Sequence, residues 1–344
     1  MLESELKELA LKEGSIRVGI ARREAFLEAP PSADMRYLEP WANAVVSFAI
    51  TPGTDWIEDY MGKVTRMVIR DKMHFVNHEI YRIANVIADR LKETGAQAHP
   101  IIPNGLYRPD HTFEKKLPDH DVKPPLSLRY MAVGAGVGTF GWSGNVMIPG
   151  YWSNSYLGGV LTDALLEPDD LIEETVCDNC RICARVCPVE FIDKREKTGV
   201  TIGGKEFVYN KKHGDLRCVI GCGGYTGLSK EGHWSSWSTG RTILPDTDED
   251  LPEILARLRD DPANAAATRN LTFGKRGVLD RPLENIKTTC NHCITVCSGP
   301  LEVRKKLMNL LFTSGVVELD EEGYEVVVKP DEQGNRTARR AVME

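Results

Sequence analysis

The sequence predicts an α+β fold in two parts, an α/β unit followed by a cysteine-bearing module, and three observations carry that reading. Two strand-like runs, IRVGIA (16–21) and AVVSFAI (44–50), precede a long amphipathic helical stretch at about 67–94. No cysteine occurs before Cys177, and nine occur from there on. At 344 residues the chain is long enough for two modest domains with a sizeable core. The expected boundaries are 1–170 for the first unit and 171–300 for the cysteine-bearing one, the latter interrupted at about 225–285. Residues 301–344 are left as a C-terminal helix, hairpin and tail.

In chain order, ESELKELALKEG (3–14) carries apolar residues at helical spacing and stops at Gly14. Pro40 and Pro52 bracket the second strand-like run, and the long helix closes at Gly95. QAHPII (97–102) reads as another strand. Residues 103–128 form a connection rich in Pro, Asp and Lys, and a loop that long inside a compact domain is often part of a binding site. A helix at SLRYMAV (127–133) then runs into a turn dense in glycine, at Gly134, Gly136, Gly138, Gly141 and Gly144. LEVRKKLMNLLF (301–312) is helical and VVELDEEGYEVVV (316–328) a hairpin. No internal repeat is legible.

Hydrophobic residues at 42% and charged ones at 27% exclude a wholly disordered chain. The net charge of -7 argues against a broad basic face for nucleic acid, which is expected not to be a partner. No apolar run is long enough to span a membrane. The first thirty residues are charged throughout, and Arg22-Arg23 is followed by Glu24 rather than an apolar segment. A cytoplasmic location is therefore expected.

The cysteines carry the strongest signal. Cys177, Cys180, Cys183 and Cys187 stand in the order C-x2-C-x2-C-x3-C-P, spacing that lets thiolates converge on one cubane cluster. A zinc site would use two separated C-x2-C pairs instead. A second motif, Cys290, Cys293 and Cys297, is one ligand short of completing two four-thiolate sites. Cys218 is the better candidate for that ligand and Cys222 the alternative. In two-cluster modules the last cysteine of each motif serves the other cluster. That rule assigns Cys177, Cys180, Cys183 and Cys297 to one [4Fe–4S] cluster, and Cys187, Cys218, Cys290 and Cys293 to the other.

The stretch from Leu126 to Cys187 resembles the superfamily of epoxyqueuosine reductases and reductive dehalogenases. SLRYMAV, AGVGTFGW (135–142), the Pro149-Gly150 turn and LGGVLTDALLEPDD (157–170) occur in order and lead into CDNCRICARVCP. The resemblance implies a nitroreductase-like, cobalamin-binding α/β domain followed by a ferredoxin-like domain with two [4Fe–4S] clusters. It implies a base-off cobalamin between them, an oxidoreductase activity, and a ferredoxin or flavodoxin as electron donor. It also agrees with Cys218 as the early ligand of the second motif. Gly136, Gly138 and Gly141 would let backbone approach the corrin, with Trp142, Tyr151 and Trp152 packing on its face.

A proton donor is needed beside the electrons. Epoxyqueuosine reductases place an Asp before a Pro just upstream of the glycine turn. Here Val122 takes that column and Asp121 is its neighbour, so Asp121 is the first candidate. Tyr107 is second, on the dehalogenase pattern of a Tyr with a nearby base. Roughly 71 residues separate Cys218 from Cys290, and 47 follow Cys297, too few for the helical tail of longer epoxyqueuosine reductases. The expected substrate is accordingly a small organic molecule. The rivals are epoxyqueuosine reduction on tRNA, with a basic cleft at Lys63, Arg66, Arg70 and Lys72, and an electron-transfer or corrinoid-reducing protein. A cobalamin-free reductase, with Trp142 filling the corrin space, is a third. HWSSWSTGR (233–241) is read either as a loop lining a binding surface or as an anchor for the insertion. His74 and His78 could pair on a metal but lack a third ligand in sequence.

Overall fold

The computed structural model describes residues 2–103, 126–239, 242–260, 279, 289–330 and 336–339. The first sheet contains β1 (Arg17–Arg22), β2 (Ala44–Ile50), β3 (Ala98–Pro100) and β6 (Tyr156–Thr162). Its spatial order is β1-β2-β6-β3, and every pairing is antiparallel. Between β3 and β6 lies the small hairpin of β4 (Thr139–Phe140) and β5 (Val146–Met147).

The uninterrupted apolar run of β2 has a direct cause, since the strand is buried along its whole length. Ala44, Val46, Phe48 and Ile50 pack with Ile20 and Val160 beneath two helices, α1 (Leu2–Lys12) and α3 (Met67–Glu93). The alternate residues Val45 and Ala49 face the opposite core, with Ala21, Leu161 and α4 (Leu128–Gly134). Helix α3 buries Val76, Ile80, Ile83, Ile87 and Leu91, a spacing near 3.6. It stops where Gly95 takes φ +88, a conformation costly for other residues. The third strand-like run shortens to three residues at the sheet edge, where Pro100 leaves no ladder donor missing.

The cysteine-bearing region opens with α5 (Ile182–Arg185). A long hairpin follows, β7 (Ile192–Ile202) and β8 (Lys205–Lys212), turning at Gly203 (φ +58) and Gly204 (φ +74). Val200, Ile202, Phe207 and Tyr209 of this hairpin return to the α4 side of the first core. Helices α6 (Asp215–Cys222), α7 (Leu251–Asp260), α8 (His292–Thr295) and α9 (Leu301–Thr313) follow. The last sheet, in order β11-β10-β9, comprises β9 (Val316–Leu319), β10 (Glu325–Pro330) and β11 (Arg336–Arg339).

One core joins these pieces. Trp56, Ile57, Tyr60 and Met61, on and beside α2 (Ile57–Met61), meet Ile182, Val186, Val296, Leu307, Leu311, Val317 and Val327. Trp234 and Trp237 lie in the same cluster, 5% and 1% exposed, so these tryptophans anchor the insertion and do not line a surface. Among the described residues no helix is long and apolar enough to cross a membrane.

Candidate metal centre

The two cysteine motifs fold alike. Cys180-x2-Cys183-x3-Cys187 wraps α5, and Cys290-x2-Cys293-x3-Cys297 wraps α8. In each, the residue after the first cysteine has positive φ, Arg181 at +60 and Asn291 at +146. That turn swings the chain into a single helical turn and directs successive thiols to one side. Val186 and Val296, equivalent in the two motifs, are both fully buried in the shared core. The correspondence is a local internal repeat that sequence reading missed, because only seven or eight residues carry it.

Cys177, Cys180, Cys183 and Cys297 line one pocket with Cys293, Trp142, Ser143, Ser153, Arg181 and Arg304. Cys187, Cys218, Cys290 and Cys293 gather as a second set, each within electrostatic reach of others in it. Burial pushes the thiols of Cys183 and Cys293 up to about 12, and it raises Cys187 as well. Apposed buried thiols that resist ionisation gain strongly from a cationic group able to hold them as thiolates.

Several residues converge on these sulfurs, and of them the sequence singles out only Trp142. The Trp142 amide donates to Cys177 Sγ at 3.3 Å, and the Phe191 amide to Cys187 Sγ at 3.3 Å. Arg304, 3% exposed, donates Nη1 to Cys180 Sγ at 3.1 Å and grips Asp178 with two bonds of 2.8 and 2.7 Å. Ser153 donates its amide to the Cys297 carbonyl at 3.0 Å. Asn145 Nδ2, Arg304 Nε, Tyr60 Oη and both ring nitrogens of His292 are buried without a hydrogen-bond partner. Orphaned buried donors around thiols are what the sulfides of an iron–sulfur cluster would satisfy. Among the described residues no three His, Cys, Asp or Glu side chains close on a single metal ion. The donor set fits two clusters.

The glycine turn does different work from the one expected of it. A Cβ on Gly136 would meet the Asp170 carbonyl oxygen at 2.2 Å, one on Gly138 Val146 Cγ1 at 2.5 Å, and one on Gly141 Met147 Cγ at 2.7 Å. The amides of Gly136 and Gly141 donate to Val133 and Asn145 carbonyls. These glycines serve close packing of protein on protein, and the turn they build delivers Trp142, Ser143 and Asn145 to the thiols. Trp142 is half-buried with the Arg181 guanidinium 5.8 Å from its ring centroid. Tyr151 is exposed and Trp152 half-buried at φ +50, just before Ser153.

Asp121 and Tyr107 lie outside the described residues. The four cations of the supposed basic cleft do not stand open. Lys63 is buried against Ser314, Arg66 pairs with Glu325, Arg70 with Asp71 at 2.9 Å and Lys72 with Asp55 at 3.3 Å. The His74 and His78 rings lie 4.3 Å apart on α3, and no third ligand groups with them among the described residues.

No family model matches the chain. Curated epoxyqueuosine reductases do: that of Bacillus anthracis is 31% identical over 99 residues and that of Staphylococcus aureus 34% over the same length. The chain resembles the epoxyqueuosine reductases. Each match spans 27% of this chain and 26% of the relative. Solved structures with a similar arrangement include a catabolic reductive dehalogenase in complex with 3-bromo-4-hydroxybenzoic acid, 17% identical, with a TM-score of 0.46. It covers 98% of this chain and 42% of that one. An epoxyqueuosine reductase solved with a modified tRNA-Tyr stem loop is 16% identical with a TM-score of 0.38, covering 91% and 81%. Epoxyqueuosine reductase, one of the two families that the sequence resembles, is the name these curated relatives carry.

Proposed function

We propose that the protein is an iron–sulfur reductase of the epoxyqueuosine reductase and reductive dehalogenase type, holding two [4Fe–4S] clusters and acting on a small organic substrate in the cytoplasm. The observation that carries this reading is the gathering of two thiol sets beneath buried donors that have nothing else to donate to. Cys177, Cys180, Cys183 and Cys297 hold one cluster. Cys187, Cys290 and Cys293 hold the other, with Cys218 as the first candidate for its fourth ligand. Such clusters supply one-electron transfer at low potential. Around them, the Trp142 and Phe191 amides and Arg304 stabilise negative charge on the sulfurs, the shared core packs against Cys180 and Cys297 of the first set, and a second core with Val189, Ile220 and Tyr225 packs against Cys187. Electrons come from a ferredoxin or flavodoxin.

Base-off cobalamin enters the proposal through the resemblance alone. Asp121 and Tyr107 are proposed as proton donors on the same ground. The deciding measurement is anaerobic iron, sulfide and cobalt quantitation after reconstitution with hydroxocobalamin. About eight irons and one cobalt per chain are expected. Eight irons without retained cobalt would remove the corrinoid and leave a cobalamin-free reductase. No iron at all would overturn the reading. With substrate in hand, Asp121→Asn or Tyr107→Phe should abolish turnover while both metal contents stay unchanged.

Epoxyqueuosine reduction on tRNA is the second reading, favoured by the names of the curated relatives. The pairing of Arg66, Arg70 and Lys72 and the burial of Lys63 weigh against it. A gel-shift titration with an anticodon stem loop at low salt separates the two: micromolar binding would favour tRNA.

A further inference from the structure

The second thiol set has five members. Cys218 and Cys222 stand one turn apart on α6 with their sulfurs 3.5 Å apart, and Cys222 also contacts Cys290. Sequence spacing alone makes one of the two a spare thiol. The structure gives both a place at the same site.

Three observations show that the place of Cys222 is built. The Thr289 hydroxyl lies against the carbonyls of both Gly221 and Cys222 at 3.3 Å, and the Ser238 hydroxyl bonds Thr289 at 2.8 Å and the Gly221 carbonyl at 3.3 Å. Both hydroxyl residues are fully buried, so the end of α6 is pinned directly beside Cys290. Gly221 and Gly223 make room for this, since a Cβ at either would meet Val189 Cγ1 at 2.9 Å or the Val219 carbonyl at 2.3 Å. Finally, Tyr60, buried and unpartnered at its hydroxyl, lies within electrostatic reach of Cys290 and Cys222. His292, fully buried, adjoins the Cys290 thiol. The Tyr60 hydroxyl is thus within reach of Cys222 as well as Cys290, and a bound cluster would supply it an acceptor.

We propose that Cys218 and Cys222 are interchangeable fourth ligands of the second cluster, completing Cys187, Cys290 and Cys293. This rests on the cluster reading above. Exchange is isoelectronic: the entering thiol loses its proton as it binds iron, and the leaving thiolate takes up a proton. No oxidant or reductant is needed. Because the two cysteines lie on the same helical face, the exchange needs side-chain rotation and not movement of α6.

The test uses the full chain, reconstituted anaerobically, with iron and sulfide counted and the reduced protein examined by EPR. Cys218→Ala and Cys222→Ala should each retain the iron content of the unaltered chain. The double variant should lose about half of it while keeping the EPR signal of the first cluster, which also reports that the fold persists. Loss of half the iron in either single variant would overturn the proposal, as would full iron in the double. Independently of any variant, alkylation of the reconstituted unaltered chain followed by peptide mass spectrometry should divide the label between Cys218 and Cys222. Label on only one of them would overturn interchangeability. An unaltered chain that binds no iron would instead overturn the cluster reading itself.

Discussion

Arg304 is the residue whose role the geometry defines most closely. It is buried, charged, held by Asp178, and donates to Cys180 Sγ at 3.1 Å. A donor of this kind stabilises the more negative, reduced form of a thiolate-ligated cluster. Arg304→Gln should therefore make the first cluster harder to reduce and leave the second unaffected. An EPR-monitored redox titration reads this directly, and an unchanged midpoint would sink the assignment. Lys63 is a different case. Burial lowers its ammonium from an ordinary 10.5 to about 7, with Lys329 adding repulsion. Since the unfolded chain holds that proton more tightly, the folded state is penalised below about pH 7, and the penalty is relieved as pH rises toward 10.5. Lys63→Met should raise the melting temperature at pH 7 and remove this part of the rise in stability at higher pH. Melting curves at pH 6, 8 and 9.5 on both proteins would show whether that slope disappears.

At the scale of elements, α3 is legible by its period because burial acts on one face of every turn, and β2 as an uninterrupted apolar run because both its faces are buried. The hairpin Ile192–Lys212 is signalled in sequence only by Gly203-Gly204, because most of β7 is exposed and its charged run shows no apolar alternation. The glycine turn is legible in sequence, and the structure adds that Gly136, Gly138 and Gly141 each admit a close neighbour. Sequence cannot distinguish a glycine that admits a ligand from one that admits a neighbouring strand. Gly19 and Gly204 illustrate the difference in cost. A Cβ on Gly19 would stand 1.9 Å from the Ala135 carbonyl oxygen, and both are backbone-bound in the core. Gly19→Ala should cost about 3 kcal/mol or more, at or beyond the upper end for overpacking. Gly204 has nothing near its Cβ position, so Gly204→Ala should cost only the conformational strain of about 1 kcal/mol. Chemical denaturation of the two variants provides the comparison, and equal losses would contradict it.

For the whole molecule, the thiol sets were legible from spacing, whereas their surroundings were not. Arg304, Ser153, Asn145 and Tyr60 come from remote segments that no local pattern connects. The insertion also belongs at this scale. Trp237 Nε1 donates to the Tyr60 carbonyl at 2.9 Å, tying residues 177 positions apart inside one core. Trp237→Phe should destabilise by about 1–3 kcal/mol through the unsatisfied carbonyl. Removal of the insertion should prevent folding and not simply alter substrate choice, which expression trials with circular dichroism would reveal.

On the proposed ligation, the first cluster closes a loop from Cys177 to Cys297 and the second a loop from Cys187 to Cys293, one nested inside the other. Each fastens segments about a hundred residues apart, and long closures restrict the unfolded chain most. Releasing one clasp leaves the other still spanning the same ends. Iron loss on heating should therefore coincide with unfolding in a single transition. Absorbance at 400 nm that bleached well before the circular dichroism signal fell would show the clasps to be independent ornaments on a fold that does not need them.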